Sequence, residues 1–312
     1  MKKIIKWLIF VFIILSLTAV YARYIGTRGL ITKEYTINSN NLPVGFDGLK
    51  VVHFSDIHYN RAISLSKIKK IVDEINLINP DIVVFTGDLI DKDSELTEKD
   101  YNNLTNLFLK INAKYGKYAV IGNHDFIKDK DKVIDVFNGS NFKYLDNDHE
   151  IIYDKDIHTI FIGGLSTISY EQEDLNKTLS YLKEHDDIDY KIVLVHEPDI
   201  SKQIANDYDI DLILAGHSHN GQIRIPFIGA IYTPPHAKKY YDNYYQIGDT
   251  DLYISSGIGV STINGRLCNR PSINFYRINK EISEWDLFYY STVTDLARFF
   301  GLSISHLFNL AT

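Results

Sequence analysis

Asp56 and His58, Asp88 and Asp91, Asn123 with His124 and Asp125, His196, and His217 with His219 form five short polar clusters spread over roughly 160 residues. Their side chains offer nitrogen and oxygen donors of the kind that suit Mn, Fe, Zn, Mg or similar divalent ions. Cys268 is the one cysteine of the chain, so neither an intrachain disulfide nor a cysteine-ligated zinc can form. A lone tetrahedral zinc takes about three or four ligands. Asp56, His58, Asp88, Asn123, His196, His217 and His219 supply seven, which fits two ions sharing one carboxylate. Asp88, in a middle cluster, is the expected bridge. Two ions about 3.5–4 Å apart form the clamp used for displacement at phosphorus. Singly, Asp56 reads as a helix cap and His58 as nothing; the ordered set of five clusters carries the reading.

The elements that must position these residues are legible around them. Leu49 to Phe54, Ile82 to Phe85, Tyr118 to Ile121, Ile192 to Val195 and Leu212 to Ala215 are short apolar runs, and each stops at one of the clusters. Leu65, Ile68, Ile71, Val72, Ile75 and Ile78 recur at helical spacing, and Leu96 to Ile111 repeats the pattern. The resulting β-α-β-α-β order predicts a parallel sheet in an α/β fold. In such sheets the carboxyl ends of the strands form the ligand crevice, so the clusters should meet in space. Gly87, Gly122 and Gly216 let the chain turn sharply from strand to loop. Phe142 to Ile162 reads as shorter strands, Leu175 to Leu182 as helical. Leu252 to Ile254, Ile273 to Tyr276 and Leu287 to Tyr290 read as antiparallel strands. With no low-complexity linker between residues 45 and 290, one domain over 49–290 is expected, after a connecting segment at 23–48.

Lys2, Lys3 and Lys6 precede an uncharged run from Trp7 to Ala22 that Arg23 ends. Its sixteen residues span roughly 24 Å, a little short of the ~30 Å hydrocarbon core. Trp7 and Tyr21 sit where interfacial aromatics belong. Residues 1–22 therefore read as an uncleaved signal anchor, a transmembrane helix, or as a signal peptide cleaved after Ala22. Either reading exports the remainder, and the lysines favour the N-terminus inside. The expected location is the cell membrane, single-pass, with the domain on the extracellular side, or secreted if the segment is cleaved. The net charge of −7 argues against a nucleic-acid partner, which calls for a basic face.

The motif order Asp-x-His, Gly-Asp-x-x-Asp, Gly-Asn-His-Asp, a single His and Gly-His-x-His resembles the calcineurin-like metallophosphoesterases. The gaps agree, with 28 residues between His58 and Gly87 and 30 between Asp91 and Gly122. The resemblance implies a four-layer α/β/β/α sandwich of two mixed sheets. It implies one divalent ion on Asp56, His58, Asp88 and His219, and a second on Asp88, Asn123, His196 and His217. His124 would then sit over the substrate as general acid or phosphate-stabilising group, oriented by Asp91, and a metal-bound hydroxide would attack phosphorus. Asp91 occupies the region where purple acid phosphatases carry a tyrosine ligand. His124 stands where some lipid A-pathway pyrophosphohydrolases have arginine. The stretch from Gly216 to Phe227, with Arg266 to Pro271, is similar to a bacterial membrane-linked, phosphodiesterase-like branch.

A phosphomonoester or phosphodiester is the expected substrate, with a lipid-linked pyrophosphate or a non-catalytic scaffold role as alternatives. Arg61, Arg266 and Arg270 are candidate contacts for substrate phosphate or leaving group. Tyr240, Tyr241, Tyr244 and Tyr245 could cover a substrate, touch lipid or pack on the domain. The residues 291–312 are dense in apolar side chains, and Thr294-Asp295 could cap a helix there.

Overall fold

The computed structural model describes residues 1–154, 158–170, 174–185 and 187–281. The expected strand Leu287 to Tyr290 and the apolar tail 291–312 lie outside these residues. Along the chain the elements run α1 (Lys2–Tyr24), β1 (Ile31–Ser39), β2 (Leu49–Phe54), α2 (Leu65–Ile78), β3 (Ile82–Thr86), α3 (Glu98–Phe108), β4 (Gly116–Val120) and α4 (Asn123–Gly139). There follow β5 (Phe142–Tyr144), β6 (Asp148–Tyr153), β7 (Thr159–Gly164), α5 (Leu175–Leu179), α6 (Tyr181–Glu184), β8 (Tyr190–Val195), α7 (Ser201–Asp207) and β9 (Leu212–Ala215). The last strands are β10 (Arg224–Ile225), β11 (Gly229–Ala230), β12 (Tyr244–Ile247), β13 (Thr250–Ile254) and β14 (Ser272–Lys280).

Two six-stranded sheets result, ordered β1-β14-β2-β3-β4-β5 and β12-β13-β9-β8-β7-β6. Both are mixed: β2, β3, β4 and β5 run parallel, whereas β14 is antiparallel to β2. In the second sheet β7, β8, β9 and β13 are parallel, flanked by antiparallel β6 and β12. The strands expected to be antiparallel around Leu252 and Ile273 are thus antiparallel on one side only, since β14 also pairs in parallel with β1.

Alternation along each strand decides what lies between the layers. Val51, Val84 and Val120 face Ile160, Ile192, Leu194 and Leu214 of the opposite sheet in one core. Their neighbours Val52, Phe54, Val83 and Phe85 turn the other way, onto Ile68, Ile71 and Ile75 of α2, Phe108 of α3 and Phe137 of α4. Val193, Val195, Ile213 and Ile254 cover Leu175, Leu179 and Ile204 on the far side. Helix, sheet, sheet, helix is therefore the layer order. Each buried aliphatic or phenyl group contributes about 1.5–3 kcal/mol. Local signals agree: Thr97 and Asp100 form a capping box at the start of α3, and Asn79 ends α2 in the left-handed region before Pro80.

Residues 23–48 differ from the expected connector. β1 is a nine-residue edge strand in register with β14. Its outward face is polar, so its alternation is weak, and its partner lies some 240 residues downstream. α1 also exceeds the apolar run: its 23 residues, none buried, span about 34 Å. It is long and apolar enough to cross a membrane. Its end is tied to the domain by the Arg266 N–H, which donates to the Ala22 carbonyl at 2.9 Å.

Candidate metal centre

The five clusters converge at the carboxyl ends of the central strands. Asp88 Oδ2 lies 3.5 Å from His58 Nε2 and 3.5 Å from His196 Nε2, so this one carboxylate reaches both halves of the site. On one side His219 Nε2 is 3.0 Å from His58 Nε2 and 3.4 Å from Asp56 Oδ1. On the other, His196 Nε2 is 3.1 Å from Asn123 Oδ1 and 3.2 Å from His217 Nδ1. Asp56, His58 and His219 form one cluster fit for an ion, and Asp88, His196 and His217 another.

Outer partners fix which imidazole nitrogen faces inward. His196 Nδ1 meets the Thr86 carbonyl at 2.7 Å, and His217 Nε2 meets the Pro235 carbonyl at 2.7 Å. His58 Nδ1 faces Asp91 Oδ2 at 3.3 Å. At His58 and His217 such a contact can take the N–H outward and leave a lone pair for the centre; at His196 burial works against charge, but Asp88 outweighs it and raises the ring well above the ordinary imidazole value. Carboxylate, amide and imidazole atoms thus crowd together where a cation would satisfy them. The donor set fits two divalent ions. Burial and, for His219, the neighbouring His58 and Arg266 lower the values of His58 and His219 and keep them neutral. Burial and His196 bring His217 down to about 4. Burial opposes charge on Asp88, but His196 and His124 outweigh it and hold the carboxylate ionised.

The backbone supplies the rest. Asp56, His58, Asp88, His217 and His219 all have positive φ, between 45° and 64°. Such residues cost of order 1–3 kcal/mol each and persist where the surroundings dictate them. The approach between loops is close: a Cβ on Gly87, whose φ is +94°, would stand 2.5 Å from His196 Nδ1.

His124 and Asp91 flank the ligands. His124 lines the cavity beside the candidate ligands Asp88, Asn123, His217 and His219, and its Nδ1 is 3.4 Å from Asp91 Oδ2. Burial works against its charge, but Asp88 and Asp91 raise its value above the ordinary. Arg61 donates to Asp91 Oδ1 at 3.2 Å, so it secures the carboxylate behind His124. Arg266 and Arg270 are absent from the described lining of this cavity and line a separate one near the end of α1. Arg266 is fully buried, with Nη2 3.2 Å from His219 Nδ1; it backs a ligand instead of meeting a leaving group. Gly257, where a Cβ would stand 3.3 Å from Arg266 Nη2, leaves space beside the guanidinium, and the Gly259 carbonyl accepts from it, neither of which sequence spacing discloses.

Two supports were given no role by the sequence reading. Glu197 is buried and accepts from Thr167 Oγ1 and Ser169 Oγ, both at 2.6 Å. It pins the loop that brings Ser169 and Tyr170 to the cavity; its place beside His196 was the available signal. Asp125 accepts from the Gly122 and Ile90 backbone N–H groups, joining two of the clusters. Of the four tyrosines that could cover a substrate, touch lipid or pack on the domain, Tyr240 is buried against Tyr245.

The family model described as calcineurin-like phosphoesterase matches residues 49–221. The chain belongs to this family. As a calcineurin-like phosphoesterase it is a hydrolase of phosphoester bonds. Members of the family use a dinuclear divalent metal centre, and the two ligand clusters here are its counterpart. The phosphoesterase is 36% identical over 259 residues to the uncharacterized metallophosphoesterase YkuE of Bacillus subtilis, covering 83% of this chain and 88% of that one. It is 27% identical to a zebrafish (Danio rerio) transmembrane protein with a metallophosphoesterase domain, over 84% of this chain and 60% of that protein. Among solved structures, a 5'-nucleotidase precursor from Thermus thermophilus matches with a TM-score of 0.48 and 15% identity, over 80% of this chain and 58% of the other.

Proposed function

We propose that the chain is a two-metal phosphoesterase anchored by α1, which hydrolyses an ester presented at the membrane surface. The observation that supports this most is the position of Asp88 Oδ2, 3.5 Å from a histidine of each cluster. Two divalent ions held by the seven ligands would supply positive charge to the phosphoryl oxygens and lower the pKa of an attacking water. The chain's own residues do the remainder. Asp56, His58, Asp88, Asn123, His196, His217 and His219 fix the charge in place. His124 holds a proton at the cavity wall and passes it to the leaving-group oxygen as the phosphorus–oxygen bond breaks. Asp91, held by Arg61, orients that imidazole. The lysines before α1 favour an N-terminus inside and a domain outside.

A substrate with an apolar part is supported by one further observation. The cavity, about 330 Å³, is walled on one side by Ile223, Ile231, Tyr232, Pro234, Pro235 and Ile263. Beside it the β10–β11 hairpin carries Phe227 fully exposed and Ile228 74% exposed. A lipid-linked phosphate or pyrophosphate would lay its chain here.

The test is metal analysis of the full chain in detergent, with turnover of matched short-chain and long-chain phosphomonoesters, phosphodiesters and lipid pyrophosphates. Two divalent ions per chain and preference for the long chains are expected. No turnover of any ester with Mn, Fe, Zn or Mg supplied would overturn the enzymatic reading; indifference to chain length would overturn the amphiphilic one.

A further inference from the structure

A second cavity, about 440 Å³, lies at the foot of α1, between Tyr21 and Gly26 on one side and Lys33, Arg224, Arg266 and Arg270 on the other. None of the described residues that line it is acidic. Asp242, just outside, pairs with Arg224 at 2.6 Å, and Lys33 Nζ donates to Asn243 Oδ1 at 2.8 Å. Arg266 spends Nε and Nη2 on the Gly259 carbonyl, at 2.9 and 2.6 Å. Its Nη1 is buried without a hydrogen-bond partner, and it forms no ion pair with a carboxylate among the described residues. Four cations share one cavity; of the carboxylates near them, Asp242 pairs with Arg224 and the charge of Asp56 acts on Arg266. Burial, Arg266 and Arg224 together bring Lys33 down to about 8, which is the signature of positive charge crowded in poor solvent.

We propose that this cavity is a phosphate-binding site distinct from the metal centre. A tetrahedral oxyanion offers several acceptors at once to guanidinium forks and an ammonium, the geometry in which Arg–phosphate pairs are strongest. It would relieve the repulsion around Lys33. The cavity sits where α1 leaves its apolar stretch, next to the tie between Arg266 and Ala22. The phosphate can come from the headgroup of an anionic lipid around α1, an arm that rests on the membrane reading above, or from free phosphate.

The experiment is equilibrium dialysis of inorganic phosphate against the metal-loaded full chain, in neutral detergent and in phosphatidylglycerol nanodiscs. In detergent two equivalents are expected, one per site. Lys33→Glu should weaken one of them at least about tenfold, while Lys33→Arg stays close to wild type. Asp88→Asn should remove the other equivalent and leave the Lys33-dependent one. Weaker cavity binding in phosphatidylglycerol identifies a headgroup as the occupant, and equal binding identifies free phosphate; both support the site. A single equivalent that Asp88→Asn removes and Lys33→Glu leaves untouched overturns it. If Lys33→Glu acts but Asp88→Asn does not, the cavity stands and the metal reading fails.

Discussion

His53 and His58 are five positions apart, both fully buried, yet they belong to two different kinds of region. His53 lies between the sheets, with Nε2 2.7 Å from Thr86 Oγ1 and Nδ1 3.2 Å from Tyr276 Oη. Hydroxyls adapt to either tautomer, so both nitrogens are satisfied. Lys117, also inside, donates to the carbonyls of Phe108 and Ile111 at 3.1 Å and of Ser140 at 2.6 Å, closing the ends of α3 and α4. At the strand ends the pattern inverts. There His58 Nδ1, His196 Nδ1 and His217 Nε2 face Asp91, the Thr86 carbonyl and the Pro235 carbonyl, while the opposite ring nitrogens turn toward Asp88 and one another. A buried polar group whose partners are complete is structural; a buried set of acceptors that converges on itself is a site for a cation.

Asp88→Asn should abolish turnover and leave far-ultraviolet circular dichroism unchanged, since an amide cannot hold two dications and no core side chain is lost. Wild-type turnover with two metals per chain would break the contrast. His124→Ala should keep both metals and lose about 10²–10⁴-fold in rate, more for alkoxide than for nitrophenolate leaving groups. Metal loss in that variant would place His124 among the ligands. Lys117→Met should do the reverse, leaving the metals bound while urea unfolding shows about 3 kcal/mol less stability, because three carbonyls lose their donor. Unchanged stability would mean that those carbonyls find water.

The smallest effect is a pH slope. Burial lowers His53 from 6.5 to about 3. Between those values the unfolded chain binds a proton that the folded chain refuses, so stability falls as pH falls, by up to about 1.4 kcal/mol per unit. Comparing urea midpoints at pH 7 and pH 5, His53→Leu should be less pH-sensitive than wild type. Equal sensitivity would show that the hydroxyl pair accommodates a charged ring.

Much of the candidate centre was legible because each polar cluster follows a short apolar run, and a buried parallel strand announces both itself and its carboxyl end. The α2 and α3 helices were legible from their spacing. β1 was not: a half-exposed edge strand is recognised through backbone pairing, and its pairing with β14 is invisible along the chain. Nor was the left-handed backbone of five candidate ligands, because Asp and His carry no mark of φ in their names. Arg266 was the sharpest difference. A guanidinium is expected at the surface, and only the folded loop shows that the Gly259 carbonyl holds it behind His219.

Six residues, 25–30, separate α1 from β1, no more than about 20 Å even if drawn straight. Where α1 crosses a bilayer, this leash confines the catalytic mouth to a thin shell above one leaflet. Encounter with an ester in that leaflet becomes a search over area instead of volume, and local abundance in the membrane replaces bulk concentration as the quantity that sets occupancy. Two copies of the enzyme in separate vesicles would then draw on separate substrate pools, however well the solution around them is stirred.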